Sequence, residues 1–352
     1  MPRLPTYPTI VRQVDPQAPD PQIIAEAAAC LREGGLVAFP TETVYGLGAN
    51  ALKERAVRRL FVAKGRPLTD PLIVHIARNE QLQTVARAIP AVAWRLVAAF
   101  WPGPLTLVLW RAPAIPPLVS AGLPTVAVRR PSHPVALALL AAAGVPVVAP
   151  SANRFGHTSP TRAEHVLADL AGRIEMILDA GPTPVGVEST VLDLTVEPAV
   201  VLRPGGVTVE ALSTVLGYTP QVLERAAGPV KSPGLLERHY APAVPLILIE
   251  GPAERARAAL RQRALALASQ GRRVGLLLYT EDQAALGPLP ARVVDLGSLR
   301  QPEEVARRLF TALRTLEAAG VDVILARSVP DGGLWLAIRD RLRRASSEVV
   351  SV

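Results

Sequence analysis

Short apolar runs alternate along this chain with longer stretches in which apolar residues recur at helical spacing. Residues 36–39 form one such run, ended by Pro40, and over 51–64 Ala56, Val57, Leu60 and Phe61 fall on one helical face before Gly65. The order is strand, loop, helix. Residues 72–76, 105–109, 125–129 and 145–149 predict further strands, the last preceded by an Ala/Leu-rich helix closing at Gly144. Thr161 and Glu164 have the spacing of a capping box, which predicts a helix start there. Strands over 176–179, 190–194 and 199–202 complete a large mixed α/β domain, residues 11–216.

Over residues 217–242 the periodicity is lost and Gly, Pro and charged residues collect, as in an interdomain linker. Beyond it, strands at 246–250, 274–279, 293–296 and 321–327 alternate with helices at 253–269, 302–319 and 334–345. That alternation predicts a smaller, Rossmann-like, doubly wound parallel domain, residues 243–352. Gly251-Pro252 after its first strand lacks the spaced glycines of a dinucleotide fingerprint.

A length of 352 residues also favours two domains over one. With hydrophobic residues at 49 % and aromatics at only 4 %, the cores are built from Ala, Leu and Val, which suits helix-on-sheet packing and argues against an aromatic-caged peptide binder. The single cysteine, Cys30, excludes an intrachain disulfide framework and any multi-cysteine metal site, and fits a reducing compartment. Residues 1–15 lack the order of a signal peptide and no apolar run approaches a bilayer span, so no membrane association and a cytoplasmic address are expected. The net charge of +8 attracts polyanions, but Arg55, Arg58 and Arg59, and Arg339, Arg341, Arg343 and Arg344, lie on helix faces where a solvated surface is the commoner explanation.

Four segments are richer in small polar or cationic groups than turns require: 40–48, 64–71, 150–159 and 186–190. Taken as loops after strands, they converge at a crevice. Lys64 and Arg66 suit a polyphosphate, with an exposed basic helix end as the competing explanation. Ser151 and Asn153 follow an apolar strand and suit phosphate or ribose oxygens, or an ordinary turn. His75 alternates with Val74 and Ile76 and so occupies the other face of its strand, as a ligand or as a core histidine. Arg129 ends a strand and suits a carboxylate, with a surface ion pair as the alternative. No Ser/His/Asp order or paired-carboxylate spacing supports hydrolytic or covalent catalysis.

Together, residues 40–48 (Pro-Thr-Glu-Thr-Val-Tyr-Gly-Leu-Gly), Lys64-Gly65-Arg66-Pro67 with Pro71-Leu72-Ile73-Val74-His75, Ser151-Ala152-Asn153, and residues 186–191 (Gly-Val-Glu-Ser-Thr-Val) resemble the YrdC-type domain in order and spacing. The likeness extends over nearly the whole chain, to the long two-domain form of the threonylcarbamoyl-AMP synthases. That resemblance implies synthesis of L-threonylcarbamoyladenylate from L-threonine, bicarbonate and ATP, with Mg2+ assisting and pyrophosphate leaving, for tRNA threonylcarbamoyladenosine formation. By motif it implies a threonine site of Thr43, His75, Arg129, the Ala149 backbone and Ser189. It implies an ATP side of Lys64, Arg66, Asp70, Thr125, Ser151, Asn153, Ser159, Arg203 and Tyr240, with Lys64 and Arg66 acting in catalysis and no protein metal ligand assigned. A downstream tRNA threonylcarbamoyl transferase is the implied partner.

The segment Ser232-Pro233-Gly234 followed by His239-Tyr240-Ala241-Pro242 resembles the interdomain segment that closes over the family's site. Leu236 and Glu237 depart from the basic and aromatic residues expected there, Asp70 stands where Asn is common, and Asp340 where Asn is frequent. Two other readings are a double-stranded RNA-binding module, motivated by the positive charge, and the carbamoyl chemistry of hydrogenase maturation. The first leaves Thr43, His75 and Ser189 without work; the second lacks its cysteine-rich and acylphosphatase segments.

Overall fold

The structure is a computed structural model that describes residues 8–223, 231, 233 and 239–352; Ser232, Gly234, Leu236 and Glu237 lie outside the described residues. The chain divides into two compact units, Met1–Phe155 with Ser159–Leu236, and Gly156–Thr158 with Glu237–Val352.

In the first unit the strands are β1 (Ile10–Gln13), β2 (Val37–Phe39), β3 (Gly46–Asn50), β4 (Ile73–His75), β5 (Ala86–Arg87), β6 (Leu105–Arg111), β7 (Thr125–Arg129), β8 (Val147–Val148), β9 (Met176–Asp179), β10 (Thr190–Asp193), β11 (Val200–Arg203) and β12 (Gln221–Val222). They form one mixed sheet in the order β1-β9-β2-β3-β8-β4-β7-β6-β10-β11-β12, with β5 on β6. The helices are α1 (Pro21–Glu33), α2 (Glu54–Lys64), α3 (Leu82–Val85), α4 (Ala91–Phe100), α5 (Pro134–Ala143), α6 (Ala163–Leu170) and α7 (Val209–Leu216).

Period-two alternation divides the central strands between two faces. Val74, Ile76, Leu105, Leu107, Leu109, Val126, Val128, Leu192 and Val201 point into the main core with residues of α2, α4, α6 and α7. The intervening Ile73, Val108, Ala127, Val191 and Leu202 form a separate, smaller apolar patch on the other face. α1 and α5 pack over a third cluster with Val37, Phe39, Val147 and Met176.

The expected helix after 161 begins at Ala163, with Arg162 at its N-cap and no side-chain cap. The capping box does not form, because the Thr161 amide donates to His165 Nδ1 at 3.2 Å instead. Within the expected linker, residues 217–242, β12 pairs in parallel with β11.

In the second unit β13 (Leu246–Glu250), α8 (Ala253–Ser269), β14 (Val274–Leu278), α9 (Thr280–Leu286), β15 (Arg292–Asp295), α10 (Pro302–Ala318), β16 (Val323–Arg327), α11 (Trp335–Ala345) and β17 (Glu348–Ser351) follow in turn. The five strands are all parallel, in the order β15-β14-β16-β13-β17. Their core joins Ile247, Ile249, Leu276, Leu278 and Leu325 to Ala256, Leu260 and Ala264 of α8. Gly156–Thr158 belongs here through a bridge of His157 to Ala241 and an Arg314 hydrogen bond to the Thr158 carbonyl at 2.5 Å. No helix among the described residues is long and apolar enough to cross a membrane.

Candidate active site

In the parallel pair β4–β7 His75 stands opposite Arg129, and in the antiparallel pair β6–β7 Thr106 stands opposite Arg129. Residues in register share a face, so these three polar groups lie at one end of the small apolar patch, and Thr125 lies four residues back on the same face.

Arg129 is a buried hub. Its Nη1 donates to Thr43 Oγ1 at 2.9 Å, its Nε to the Gly103 carbonyl at 3.3 Å, and its Nη2 is 2.7 Å from Glu42 Oε1. Glu42 also accepts the Ser132 amide at 3.1 Å. Arg129 is therefore ion-paired, but with a partner as buried as itself rather than at the surface.

His75 is pushed from its ordinary 6.5 to about 3, by burial first and then by the Arg129 charge, so the ring is neutral. Its Nδ1 is 3.2 Å from the Ile73 carbonyl. A carbonyl only accepts, so Nδ1 carries the proton and Nε2 keeps a lone pair. Ala149 follows β8 and its amide donates to the same Ile73 carbonyl at 3.0 Å.

Ser189, just before β10, places its Oγ 2.8 Å from Thr106 Oγ1. Arg203, at the end of β11, grips that residue, donating Nη2 to the Ser189 carbonyl at 2.9 Å and to its Oγ at 3.1 Å. It also donates Nη1 to the Pro233 carbonyl at 3.1 Å. Beside it, Ser159 Oγ donates to Glu188 Oε1 at 2.5 Å.

The cationic pair sits where helix α2 ends. Gly65 takes the left-handed conformation, φ +64°, and its amide caps Phe61 and Val62. The turn leaves Lys64 pointing inward, its Nζ donating at 2.5 Å to the carbonyls of Ser151 and of Asn153. Burial, and then Arg66, lower the Lys64 pKa well below its ordinary value. Arg66 donates Nη2 to the Pro71 carbonyl at 2.8 Å and pairs with Asp70 Oδ2 at 2.9 Å. Both cations are buried, which removes the exposed-helix-end explanation.

Asp70 is 2 % exposed and its Oδ1 has no hydrogen-bond partner; Thr125 Oγ1 is likewise buried without one. Tyr240 belongs to the second unit, at φ +62°, its ring edge-on to His239 (centroids 4.1 Å apart) with the Arg341 guanidinium 5.0 Å from its centroid. The first unit thus gathers every other expected site residue.

Two of the four segments differ from the expected strand-end loops. Segment 64–71 leaves helix α2 and enters β4, and 186–189 enters β10. The convergence comes from sheet order rather than from one strand end, since antiparallel neighbours bring strand beginnings beside strand ends.

The amino-acid comparisons agree with that geometry. The Sua5/YciO/YrdC family, described as "Telomere recombination", matches residues 29–205, and "Threonylcarbamoyl-AMP synthase, C-terminal domain" matches 207–347. The threonylcarbamoyl-AMP synthase of Pyrococcus abyssi is 48 % identical over 326 residues, 91 % of this chain and 93 % of the relative. The chain belongs to the threonylcarbamoyl-AMP synthase family. The synthase of Bacillus subtilis is also 48 % identical, over 93 % of each chain. The solved structure of Pyrococcus abyssi Sua5 complexed with L-threonine matches with a TM-score of 0.92 and 46 % identity, over 98 % of this chain and 100 % of that one.

In this family member, three residues of the site escape a motif-by-motif reading of the sequence. Glu42 and Glu188 stand inside quoted motifs, but only the fold brings them to Arg129 and Ser159. Thr106 carried a usable signal: it is a lone hydroxyl alternating with Leu105 and Leu107 in an otherwise apolar run.

Proposed function

We propose that this chain joins L-threonine, bicarbonate and ATP into L-threonylcarbamoyladenylate, releasing pyrophosphate, as the precursor of threonylcarbamoyladenosine in tRNA. The observation that carries the reading is the polar ring of Thr43, His75, Arg129 and Ser189 around an apolar patch, in the same unit as Lys64, Arg66 and Arg203. A small amino acid and a polyphosphate need those two environments together.

Arg129 and Ser189 take the carboxylate, the neutral His75 Nε2 accepts from a substrate N–H or O–H, and Ala149 offers backbone groups. Lys64, Arg66, Asp70, Thr125, Ser151, Asn153, Ser159 and Arg203 form the nucleotide side. The threonine amine bonds to the carbon of CO2 with release of a proton, or to that of bicarbonate with loss of water, giving a carbamate; a carbamate oxygen then attacks the α-phosphorus as the bond to pyrophosphate breaks. No protein nucleophile is used. Lys64 and Arg66 offset charge on the leaving phosphates, and exchange their backbone carbonyl partners for phosphate oxygens.

Mg2+ is part of the proposal, supplying charge neutralisation at the phosphates. Among the described residues no group of three His, Cys, Asp or Glu gathers to hold a metal. The orphaned Asp70 Oδ1 fits a cation that takes its other ligands from nucleotide and water. An adenylate so prone to hydrolysis implies a nearby tRNA threonylcarbamoyl transferase in the cytoplasm.

The test is to incubate the protein with ATP, Mg2+, bicarbonate and each amino acid in turn, measuring pyrophosphate and the adenylate mass. Threonine is expected to dominate; preferential turnover of another amino acid would overturn the substrate assignment.

A further inference from the structure

Asp70 is the one group of the nucleotide side whose charge opposes the rest. It sits with Lys64, Arg66 and Arg203, all three of which act on it electrostatically. Its Oδ2 pairs with Arg66 at 2.9 Å, while Oδ1 is buried without a hydrogen-bond donor. The other buried acids of the site differ. Glu42 accepts the Ser132 amide and faces Arg129, and Glu188 accepts the Ser159 hydroxyl.

An unsatisfied carboxylate oxygen is unfavourable in a buried place, because it gives up its water without gaining a donor. A polyphosphate arriving beside it adds repulsion, because its oxygens bring acceptors and negative charge where Oδ1 needs a donor. Asn at this position would avoid both penalties by offering an amide donor. A hard divalent cation resolves the conflict differently: it binds the free carboxylate oxygen and phosphate oxygens together. Mg2+ is commonly held in this way, by one or two carboxylates plus substrate phosphates and waters.

We propose that Asp70 is the protein's ligand for the divalent cation that accompanies the nucleotide phosphates. The inference rests on the nucleotide reading of this site. Arg66 then has a second task, holding Oδ2 so that Oδ1 stays aimed at the cation. Coupled binding follows: the nucleotide is accepted well only with its metal, so that Asp70 discriminates against metal-free ATP.

The competing explanation is a protonated Asp70 donating a hydrogen bond to a phosphate, in line with the upward push that burial gives its pKa. Asp70→Asn mimics that neutral form and separates the two. Mn2+ binding to the full-length protein with ATP is followed by electron paramagnetic resonance, and ATP binding by calorimetry with and without Mg2+. We expect Asp70→Asn to weaken Mn2+ in the ternary complex by about tenfold or more, and to bind metal-free ATP at least as tightly as the parent. Asp70→Glu, which keeps a carboxylate, is expected to retain more Mn2+ affinity than Asp70→Asn. Unchanged Mn2+ affinity in Asp70→Asn, or a Glu variant weaker than the Asn variant, would overturn the assignment while leaving the nucleotide site intact. Failure of the parent protein to bind ATP with or without metal would overturn the nucleotide reading itself.

Discussion

Glu42 illustrates how a buried acid sets what its neighbour can do. Among the described residues Arg129 has three fixed partners, of which Glu42 alone is charged. Removing one member of a buried ion pair leaves the other uncompensated, typically at about 3–5 kcal/mol. Glu42→Ala is therefore expected to lower thermal stability and, through a less fixed guanidinium, to raise KM for threonine several-fold with little change in KM for ATP. Tighter threonine binding in the variant would show instead that Glu42 competes with the substrate carboxylate.

His75 makes the sign of a pH effect testable. Its pKa falls from 6.5 to about 3 on folding, so the unfolded chain binds the extra proton between those values. Its contribution to stability is intact above pH 6.5 and is lost as pH falls toward 3, by at most about 1.4 kcal/mol per pH unit. Replacing it with Gln should flatten the acid limb of a stability-versus-pH curve, measured by urea unfolding. A curve parallel to the parent's would mean that the ring is already charged in the folded protein. Neither residue's partner was legible in sequence: the motifs located Thr43, His75 and Arg129, but the hydrogen bond between Thr43 and Arg129 joins a loop to a strand 86 residues away, and the ion pair of Arg129 with the neighbouring Glu42 depends on the same approach.

At the scale of elements, the turn after β11 shows why the chain passes Ser189 so closely. A Cβ on Gly205 would lie 2.3 Å from the Glu188 carbonyl oxygen and 2.4 Å from the Thr190 amide nitrogen, both backbone atoms that cannot swing away. Gly205→Ala must push β11 and β10 apart, withdrawing Arg203 from Ser189. A loss of about 1–3 kcal/mol or more is expected, with threonine binding weakened beyond what the melt explains; wild-type affinity in the variant would separate Arg203 from the threonine site.

The longer strands were readable because three or more alternating residues declare a face, as Val74-His75-Ile76 and Leu105-Thr106-Leu107 do. The two-residue strands β5 and β12 are too short for that pattern, and their pairing is decided by distant partners, whereas β8 lies inside the apolar run 145–149 that predicts it. Helix α1 had a local signal in Asp20, which accepts the amides of Gln22 and Ile23, before Pro21 at the first helical position. The supposed capping box at Thr161 failed for the opposite reason, since His165 supplied the competing acceptor.

On the whole-molecule scale, the helix arginines divide between two environments. Arg58 and Arg343 pair with Glu54 and Glu250 and stay exposed, as the solvated-surface explanation expects, whereas Arg341 and Arg344 are buried against Asp340, where that explanation fails.

Where the first unit ends is a sharper question, because the apparent last core element in the sequence is α7, closing at Leu216. A cut there is harmless only if every core strand precedes it. The structure places β12 beyond it, with the Leu223 amide donating to the Val201 carbonyl at 2.9 Å. Val222 packs on the main core, and Leu223 on the apolar patch at whose end the candidate threonine site lies. A chain ending at Leu216 loses both contacts and leaves β11 with an unpaired edge. Partial burial of two aliphatic side chains amounts to roughly 2 kcal/mol, and a domain of this size shifts by about 2–4 °C per kcal/mol. A chain ending at Leu223 should therefore melt several degrees above one ending at Leu216, and bind threonine more tightly because its patch is complete. Calorimetric melts of the two truncations, with and without threonine, decide the matter: identical midpoints and affinities would make β12 a passenger, and would put the boundary of the folded unit at α7.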